Sequence, residues 1–408
     1  MSINDHIIFR ECIPHFRPEN FKEYYSQNPE NELVNYMLFD FNLTQEINTE
    51  HFKISPTKTV HVPIACSAFI SNVTQPHWVR PDTDGIYFNI ALSAVTSFSI
   101  GRPVRAHREY RYLIGRPFDG QDLGKLLPII TGGPGAYDTR LTRENEDKYI
   151  YNIKEAVEVL FDLPDNVYIY IMQAIRMIHL AHLNKREDFA LSYSLIISAI
   201  EAIAQKYKSK EEKLKEKEEK ERKKNRKLLE PKWIELSKDN LDIQALFDEY
   251  QDLLSKKSGD VLTLTERFVN FILENCPIEK WNEFEHPRKN RSDKNQEDIK
   301  KSSLPEEFKR KMRPSPYELI DGIQPTDLTL EQINNILRDL YKHRSKFVHR
   351  GESPPHIYPV SYSRFFDSFL ISNKENDELN EIVVPTYDFL SFIAYHSIIN
   401  FAKSKIKH

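Results

Sequence analysis

The sequence is poor in cysteine and has no long apolar run. Its 408 residues include three cysteines, Cys12, Cys66 and Cys276, which lie far apart and are odd in number. This usage excludes a disulfide framework or a cysteine-rich zinc site and indicates reduced thiols in a cytosolic protein. No apolar stretch reaches the ~18 residues that a membrane span needs, and the first residues do not resemble a signal peptide. We therefore expect a cytoplasmic protein without membrane contact.

The chain also lacks an excess of positive charge and a set of metal ligands. Lysine and arginine number 57 against 61 aspartates and glutamates, a net charge of -4, so the whole chain exerts no attraction on nucleic acid. His179 and His182 have the i, i+3 spacing of possible ligands. Arg176 lies on the same predicted helix face and would repel a cation, and no cysteine or carboxylate completes a site. The sequence predicts no metal and no cofactor.

The pattern of the chain changes near residue 145. Before it, short β-prone runs are separated by Pro, Gly, Asn and Asp turn signals. These runs include Thr59–Ile64, Ile86–Leu92 and Tyr110–Ile114. After it, the apolar residues recur with helical periodicity. We expect an α+β multidomain protein, with a β-rich or α+β domain over residues 1–145 and an all-α bundle over 146–408. The first domain is expected to sense a trigger or to select the substrate.

One segment of the first domain has the composition of a nucleic-acid contact. Between Arg102 and Arg116, arginines alternate with Tyr110, Tyr112 and His107. Arginine pairs with phosphate and aromatic rings stack on bases, so this segment is a candidate RNA contact. The arginines predicted to bind RNA are Arg102, Arg105, Arg108 and Arg111. The same pattern would arise from ordinary surface arginines on the solvent-facing side of a strand.

Capping residues mark the helices of the second part. Asp165 is expected to cap a mostly apolar helix, and Asp188 a second one over Phe189–Ala204. Helices so apolar must lie inside a bundle. A last apolar helix is predicted from Thr386 to about Ala402.

Two charged segments interrupt this helical part. Residues 206–232 place glutamate four residues before lysine or arginine, which stabilises an exposed helix and predicts a charged helical insertion. Residues 282–316 are polar and contain several prolines, which predicts a mobile loop.

The helix with the clearest sequence signals lies over Thr329–Gly351. Thr329 and Gln332 have the spacing of a capping box, and Gly351 follows the last turn. The apolar stripe predicted to face the core comprises Leu330, Ile333, Leu337, Leu340 and Val348. Arg344 fills the place between the last two of these, where a leucine would serve. His349 follows five residues later and completes an R-x-x-x-x-H pattern.

A carboxylate for Arg344 is available on the helix Phe189–Ala204. Glu201 lies on its only polar stripe, among small serines that allow another helix to approach closely. An unpaired guanidinium is costly in a protein interior, so we expect Glu201 to meet Arg344 there. The alternative is that this stripe faces water.

The pair Arg344 and His349 suits one kind of chemistry in particular. Residues five apart on a helix are separated by ~140° around its axis, so one chain does not aim both at one point. Two copies packed across a two-fold axis can bring both pairs into a shared cleft.

A cleft formed by these arginines and histidines lacks the carboxylates of a magnesium nuclease. It matches metal-independent RNA cleavage, in which the 2′-hydroxyl is the nucleophile. Alternatively, Arg344 pairs with Glu201 and His349 complements the helix dipole.

A resemblance supports the catalytic interpretation. The apolar helix SLIISAIEAIA, a charged insertion and then LYKHRSKFVHRG resemble the HEPN superfamily, in particular ApeA-like HEPN domains, over about residues 151–408. The resemblance implies a homodimeric, metal-independent endoribonuclease that cleaves RNA, with tRNA as a candidate, in phage defence or a toxin system. It implies that Arg344 and His349 are catalytic and that Glu201 is supporting. Ser345 stands where many members have Asn, Asp or His.

The sequence leaves other partners and functions open. A phage-derived trigger or an antitoxin would be the protein partner of such a nuclease. The alternative function is a non-catalytic HEPN scaffold that binds a nucleotide, RNA or a protein partner. A further alternative is a helical interaction protein that responds to a phage component through residues 1–145.

Overall fold

The computed structural model describes most of the chain. The described parts are residues 9–18, 34–62, 66–76, 83–107, 137–207, 263–289, 322–355, 363–372 and 379–406, with shorter stretches between them. The strands are β1 (Val34–Phe39), β2 (Ile47–Asn48), β3 (Lys53–Ile54), β4 (Lys58–Val62), β5 (Cys66–Thr74), β6 (Val104–Ala106), β7 (Phe366–Ser372) and β8 (Leu379–Pro385). The helices are α1 (Phe9–Cys12), α2 (Thr83–Ile100), α3 (Arg143–Phe161), α4 (Asp165–Asn184), α5 (Phe189–Ala204), α6 (Leu264–Asn275), α7 (Ile278–Trp281), α8 (Leu330–Arg350) and α9 (Tyr387–Lys403).

Strands β1 to β6 form one antiparallel sheet in the N-terminal part. Their order is β2-β3-β5-β1-β6, and β4 pairs with β5 as well. Strands β1 and β5 pair from Val34 opposite Thr74 to Phe39 opposite Phe69. The strand predicted over Thr59–Ile64 is confirmed as far as β4 extends. The run predicted over 110–114 lies outside the described residues. The N-terminal part is therefore strand-rich, as expected.

The strand predicted over Ile86–Leu92 is wrong, because these residues belong to helix α2. Side chains on every side of this helix, such as Phe88, Ile90 and Ala91, are buried. The helix packs against β1 and β6 and against α3 and α4. A helix buried all round has no amphipathic stripe, so a short apolar run does not distinguish it from a buried strand.

Helix α5 lies at the centre of the helical part. Helices α4, α6, α8 and α9 all pack against it. Its start is the predicted one, since the Asp188 carboxylate accepts a hydrogen bond from the Leu191 backbone N–H at 2.9 Å. Helix α4 begins at Asp165 itself, with Pro164 in the capping position. The predicted last helix is confirmed by α9, which Thr386 caps.

One hydrophobic core runs through both parts of the chain. It includes Phe39 of the sheet, Phe88 of α2, Ile175 of α4 and Ile398 of α9. Residue 145 therefore marks a change in secondary structure, while residues on both sides of it contribute to the same core.

The second part is mainly helical but not all-α as predicted. Strands β7 and β8 form an antiparallel hairpin in which Phe366 pairs with Pro385 and Ser372 with Leu379. Strand β8 packs against helix α8. Hairpin pairing satisfies the backbone hydrogen bonds of this β-prone segment between the last two long helices.

The predicted mobile loop over 282–316 begins with residues that the fold buries. His286 and Arg288 each have only 2% of their surface exposed. Arg288 donates a hydrogen bond to the backbone oxygen of Ser361. Residues 282–288 form turns and irregular structure, as a loop requires, and within them the side chains of His286 and Arg288 are held inside the protein. Most of its remainder and nearly all of the predicted insertion 206–232 lie outside the described residues.

Within the described ranges, no helix is long and apolar enough to cross a membrane.

Candidate active site at the end of helix α8

Helix α8 forms as its sequence predicts and projects its last turns out of the core. The Thr329 hydroxyl accepts a hydrogen bond from the Gln332 backbone N–H, and the Gln332 side-chain oxygen accepts one from the Thr329 backbone N–H. These two hydrogen bonds form the predicted capping box. Gly351 ends the helix with a left-handed φ of 69°, which favours glycine. The buried residues of the helix are Ile333, Ile336, Leu337 and Leu340. Leu330 and Val348 are 59% and 53% exposed, so the ends of the predicted stripe do not face the core.

Arg344 is held by two side chains of helix α5. Its Nη2 atom lies 2.9 Å from Oε2 of Glu201, and its Nε donates to the Ser198 hydroxyl at 3.1 Å. The Arg344 side chain is 21% exposed, whereas that of Glu201 is 7% exposed. The expectation that Glu201 meets Arg344 in the interior is confirmed. The alternative in which the stripe carrying Glu201 faces water is excluded.

The second oxygen of Glu201 is fixed as well. The Tyr341 hydroxyl donates to Oε1 at 3.1 Å, and the Gln205 side chain donates to the same atom at 3.3 Å. The Tyr341 ring packs against Phe268 at a centroid distance of 5.5 Å. Burial, with the negative charge of Glu201, raises the pKa of the Tyr341 phenol, which therefore stays protonated and able to donate. Tyr341 lies one turn before Arg344 in the sequence, so its i, i+3 spacing is the signal that could have identified it as a partner of the same carboxylate.

His349 occupies a different environment from Arg344. It lies in the last turn of α8, is exposed, and makes no hydrogen bond or ion pair within the described part of the chain. Ser345 is half-buried and likewise has no hydrogen-bond partner among those residues. Arg344 is engaged by α5 while His349 faces solvent, so a single chain does not bring the two side chains together.

The predicted RNA contact at Arg102 is wrong. This side chain is fully buried, and its Nε and Nη2 atoms bind the Asp40 carboxylate at 2.9 and 3.0 Å. Arg102 also donates to the backbone oxygen of Asp138 at 2.9 Å and lies over the ring of Tyr137. A guanidinium enclosed in this way is part of the core and cannot reach a nucleic acid.

The remaining arginines predicted to bind RNA are Arg105, Arg108 and Arg111. Arg105 is half-buried, and Arg108 and Arg111 lie outside the described residues. His107 is fully buried, where desolvation lowers its pKa to about 4, so the imidazole is neutral at pH 7.

The histidines of helix α4 are structural. The Arg176 guanidinium donates to Nδ1 of His179 at 2.8 Å, and Nε2 of the same ring donates to the Val104 backbone oxygen at 2.7 Å. His182 Nδ1 lies 3.1 Å from the Tyr387 hydroxyl, and burial lowers the pKa of its imidazole to about 3. Among the described residues, no group of three His, Cys, Asp or Glu side chains could hold a metal ion.

A buried ionic cluster, which sequence reasoning missed, joins distant segments of the fold. Nζ of Lys185 lies 2.9 Å from Oδ1 of Asp388, and the Tyr137 hydroxyl donates to the same oxygen at 2.6 Å. Nε2 of His286 is 3.6 Å from the other oxygen of Asp388. Burial would raise the pKa of the Asp388 carboxyl, but the charge of Lys185 and the hydrogen bonds from Lys185 and Tyr137 together outweigh this and lower it below its usual range. Burial lowers the pKa of His286 to about 3, so that imidazole is neutral at pH 7.

Comparisons of the chain with protein-family models, with curated proteins and with solved structures find no match.

The pairing of Arg344 with Glu201 can be measured independently of any activity. A double-mutant cycle with Glu201→Gln and Arg344→Gln should give a coupling free energy of about 1–3 kcal/mol in urea unfolding, because the carboxylate is almost fully desolvated. The exposed pair Arg350 and Glu352, 3.7 Å apart with 69% and 50% exposure, is the control. Its coupling should stay below about 0.5 kcal/mol. Equal coupling in the two pairs would contradict the buried arrangement.

Proposed function

We propose that this protein is a metal-independent endoribonuclease of the HEPN type that acts as a homodimer. Arg344 and His349 are its catalytic residues, and Glu201 and Ser345 support them. The observation that carries the proposal is the placement of Arg344 and His349 at the C-terminal end of helix α8. Arg344 is fixed by Glu201 and Ser198, and His349 is exposed five residues later on the last turn. The pairing of Arg344 with Glu201 also fits the alternative in which the arginine is structural, and it is the exposed imidazole of His349 that favours catalysis.

The chemistry follows from what each group can do. A neutral imidazole at His349 takes the proton of the RNA 2′-hydroxyl, whose oxygen attacks the adjacent phosphorus. The P–O5′ bond breaks, the departing oxygen takes up a proton, and the products carry a 2′,3′-cyclic phosphate and a 5′-hydroxyl. The Arg344 guanidinium stabilises the negative charge that develops on the phosphoryl oxygens. The imidazolium formed at His349 returns this proton to the departing oxygen, so each site needs one His349, which acts with the Arg344 of the other protomer across a two-fold axis.

The surface of helix α8 supports the requirement for two copies. Val348 is 53% exposed next to His349, and Lys346 and Arg350 are exposed on the same turns. An apolar side chain among positive charges suits a surface that packs on a second copy while facing a polyanion. In the cell, the proposed setting is phage defence or a toxin system, with an antitoxin or phage-derived trigger as partner.

The mechanism is tested by cleavage of RNA in the presence of a chelator. The purified protein should cleave RNA at an undiminished rate in excess EDTA, because no step needs a metal ion. An RNA with 2′-deoxyribose at the cleaved position should resist, since it lacks the nucleophile. A dependence on magnesium, or cleavage of the deoxy-substituted position, would rule the mechanism out.

A second function is favoured by one specific observation. The guanidinium of Arg344 is already bound to Glu201 and Ser198, so its charge is largely neutralised inside the protein. This suits a non-catalytic HEPN scaffold that binds RNA, a nucleotide or a protein partner through the basic end of α8. Stoichiometric RNA binding without turnover, under conditions in which the protein is dimeric, would favour this function over the nuclease.

A further inference from the structure

The Glu201 carboxylate on helix α5 is bound by helix α8 at two points. Its Oε2 atom lies 2.9 Å from Nη2 of Arg344, and its Oε1 atom accepts from the Tyr341 hydroxyl at 3.1 Å. Residues three apart on a helix lie on the same face, so both side chains reach the carboxylate from one side of α8. One buried carboxylate therefore joins the proposed catalytic arginine to a tyrosine that the proposed mechanism does not use.

The orientation of this carboxylate depends on its hydrogen bonds. The last torsion of a glutamate side chain has broad minima, so the rotamer alone does not fix the plane of the two oxygens. Oε1 of Glu201 accepts from Tyr341 and, at the longer distance of 3.3 Å, from the side chain of Gln205. Because the two oxygens turn together, the hydrogen bond from Tyr341 to Oε1 helps to determine where Oε2 points. Oε2 is the atom that binds Arg344.

These polar contacts lie where the core covers helix α8 only partly. The last buried residue of the helix is Leu340, and none of the residues from Tyr341 to Arg350 is fully buried. The contacts of Tyr341 and Arg344 with Glu201 therefore stabilise the turns that lead to His349. The Tyr341 ring packs 5.5 Å from that of Phe268 on α6, which restricts the position of the hydroxyl.

We propose that Tyr341 is a positioning residue that orders the Arg344 guanidinium through Glu201. The part of this inference that concerns catalysis rests on the proposed ribonuclease function, in which Arg344 stabilises charge on the phosphoryl oxygens. The ordering of Arg344 is a property of the protein without RNA and is measured separately.

The first test is the mobility of Arg344 in Tyr341→Phe, a variant that removes only the hydroxyl. NMR gives the hydrogen-exchange rate of the Arg344 Nε–H, which donates to Ser198 at 3.1 Å, and Arg344→Ala identifies the signal by its absence. Exchange should be at least about fivefold faster in Tyr341→Phe, because a hydrogen bond to a charged group is lost and the ion pair opens more often. An unchanged exchange rate overturns the proposal, whether or not the protein cleaves RNA.

The second test is the rate of RNA cleavage. Tyr341→Phe should lower kcat by about 5–50-fold, because a misplacement of about 1 Å costs on the order of 10²-fold and Gln205 still restrains the carboxylate. KM should change little, since Arg344 acts on charge that develops in the transition state. If wild-type protein cleaves RNA and Tyr341→Phe has the same kcat, Tyr341 does not position the catalytic arginine. If wild-type protein does not cleave RNA, the proposed function is wrong, and the exchange rate alone decides the role of Tyr341.

Tyr395→Phe is the matched control, because Glu155 has the same kinds of partners as Glu201. Nζ of Lys403 lies 2.7 Å from Oε1 of Glu155, and the Tyr395 hydroxyl donates to Oε2 at 2.8 Å, in a contact between α9 and α3. Tyr395 is buried, so this variant should lower the melting temperature at least as much as Tyr341→Phe. It should leave kcat and the exchange rate at Arg344 unchanged. Equal losses of kcat in the two variants would indicate a general effect of stability and contradict the positioning role.

Discussion

Replacing His349 by alanine should lower the rate of RNA cleavage by about 10²–10⁴-fold, the usual contribution of a positioned general acid or base. The variant should keep the wild-type melting temperature, because His349 is exposed and has no hydrogen bond or ion pair with any described residue. Initial rates on a defined RNA, with thermal unfolding and light scattering on the same samples, measure both effects. Loss of activity with an intact dimer is the expected result.

Two further variants of the same helix make this result specific. Lys342→Ala removes an exposed charge whose only described ion pair is with Asp339, and it should leave cleavage unchanged. Arg344→Ala should abolish cleavage too, but it should also lower the melting temperature, because Glu201 then loses its partner in the interior. Wild-type rates in the His349→Ala protein would remove His349 from the mechanism.

The same inactive proteins test whether the site is shared between subunits. If Arg344 of one protomer acts with His349 of the other, mixing the Arg344→Ala and His349→Ala proteins rebuilds one intact site in each mixed dimer. About a quarter of the wild-type activity should return, since roughly half of the dimers are mixed. If no activity returns after subunit exchange, the two residues do not act as a pair across the two-fold axis.

The features predicted correctly from the sequence are those with local causes. The start of helix α8 depends on Thr329 and Gln332, and its end on Gly351, all within or next to the helix. Asp188 and Thr386 mark two further helix starts in the same way. Capping needs no knowledge of the tertiary fold, because the groups that satisfy the free backbone N–H groups are neighbours in sequence. The contact between Glu201 and Arg344 was also accessible, since a charge on an apolar stripe demands a carboxylate.

The features that were missed depend on residues far apart in sequence. Arg102 looked like a surface arginine because its partner, Asp40, lies 62 residues away. The buried pair Lys185 and Asp388 is separated by 203 residues. The apolar run of helix α2 predicts a strand because complete burial removes the periodicity that distinguishes a helix from a strand. In each case the deciding contact comes from the tertiary fold and leaves no local signal.

The largest effect on stability should come from Asp388→Asn. This change leaves the Lys185 ammonium, whose side chain is 7% exposed, without its carboxylate. Removing one partner of a buried ion pair typically costs about 3–5 kcal/mol, because the remaining charge stays desolvated. The loss should be greater here than at most sites, since Asp388 also accepts from Tyr137 and stands in the first turn of α9. The free energy of unfolding in urea measures it.

An exposed pair of the same chemistry is the control for burial. Lys342 and Asp339 are also 2.9 Å apart, but their side chains are 64% and 48% exposed. Asp339→Asn should therefore cost less than about 1 kcal/mol. The two substitutions make the same replacement, an amide for a carboxylate, in ion pairs of equal length, so the difference between them reports the desolvation of Lys185.

A double variant separates an unpaired charge from a packing defect. If the loss in Asp388→Asn arises from the buried ammonium, adding Lys185→Met should restore much of the stability, because methionine fills similar space without a charge and neither ion remains. The Tyr137 hydroxyl keeps an acceptor in the oxygen of the new asparagine. If the double variant is instead as unstable as the two single losses added together, the cluster contributes through its shape and hydrogen bonds. The ion pair would then be a minor contribution to the free energy that holds Tyr137, α4 and α9 together.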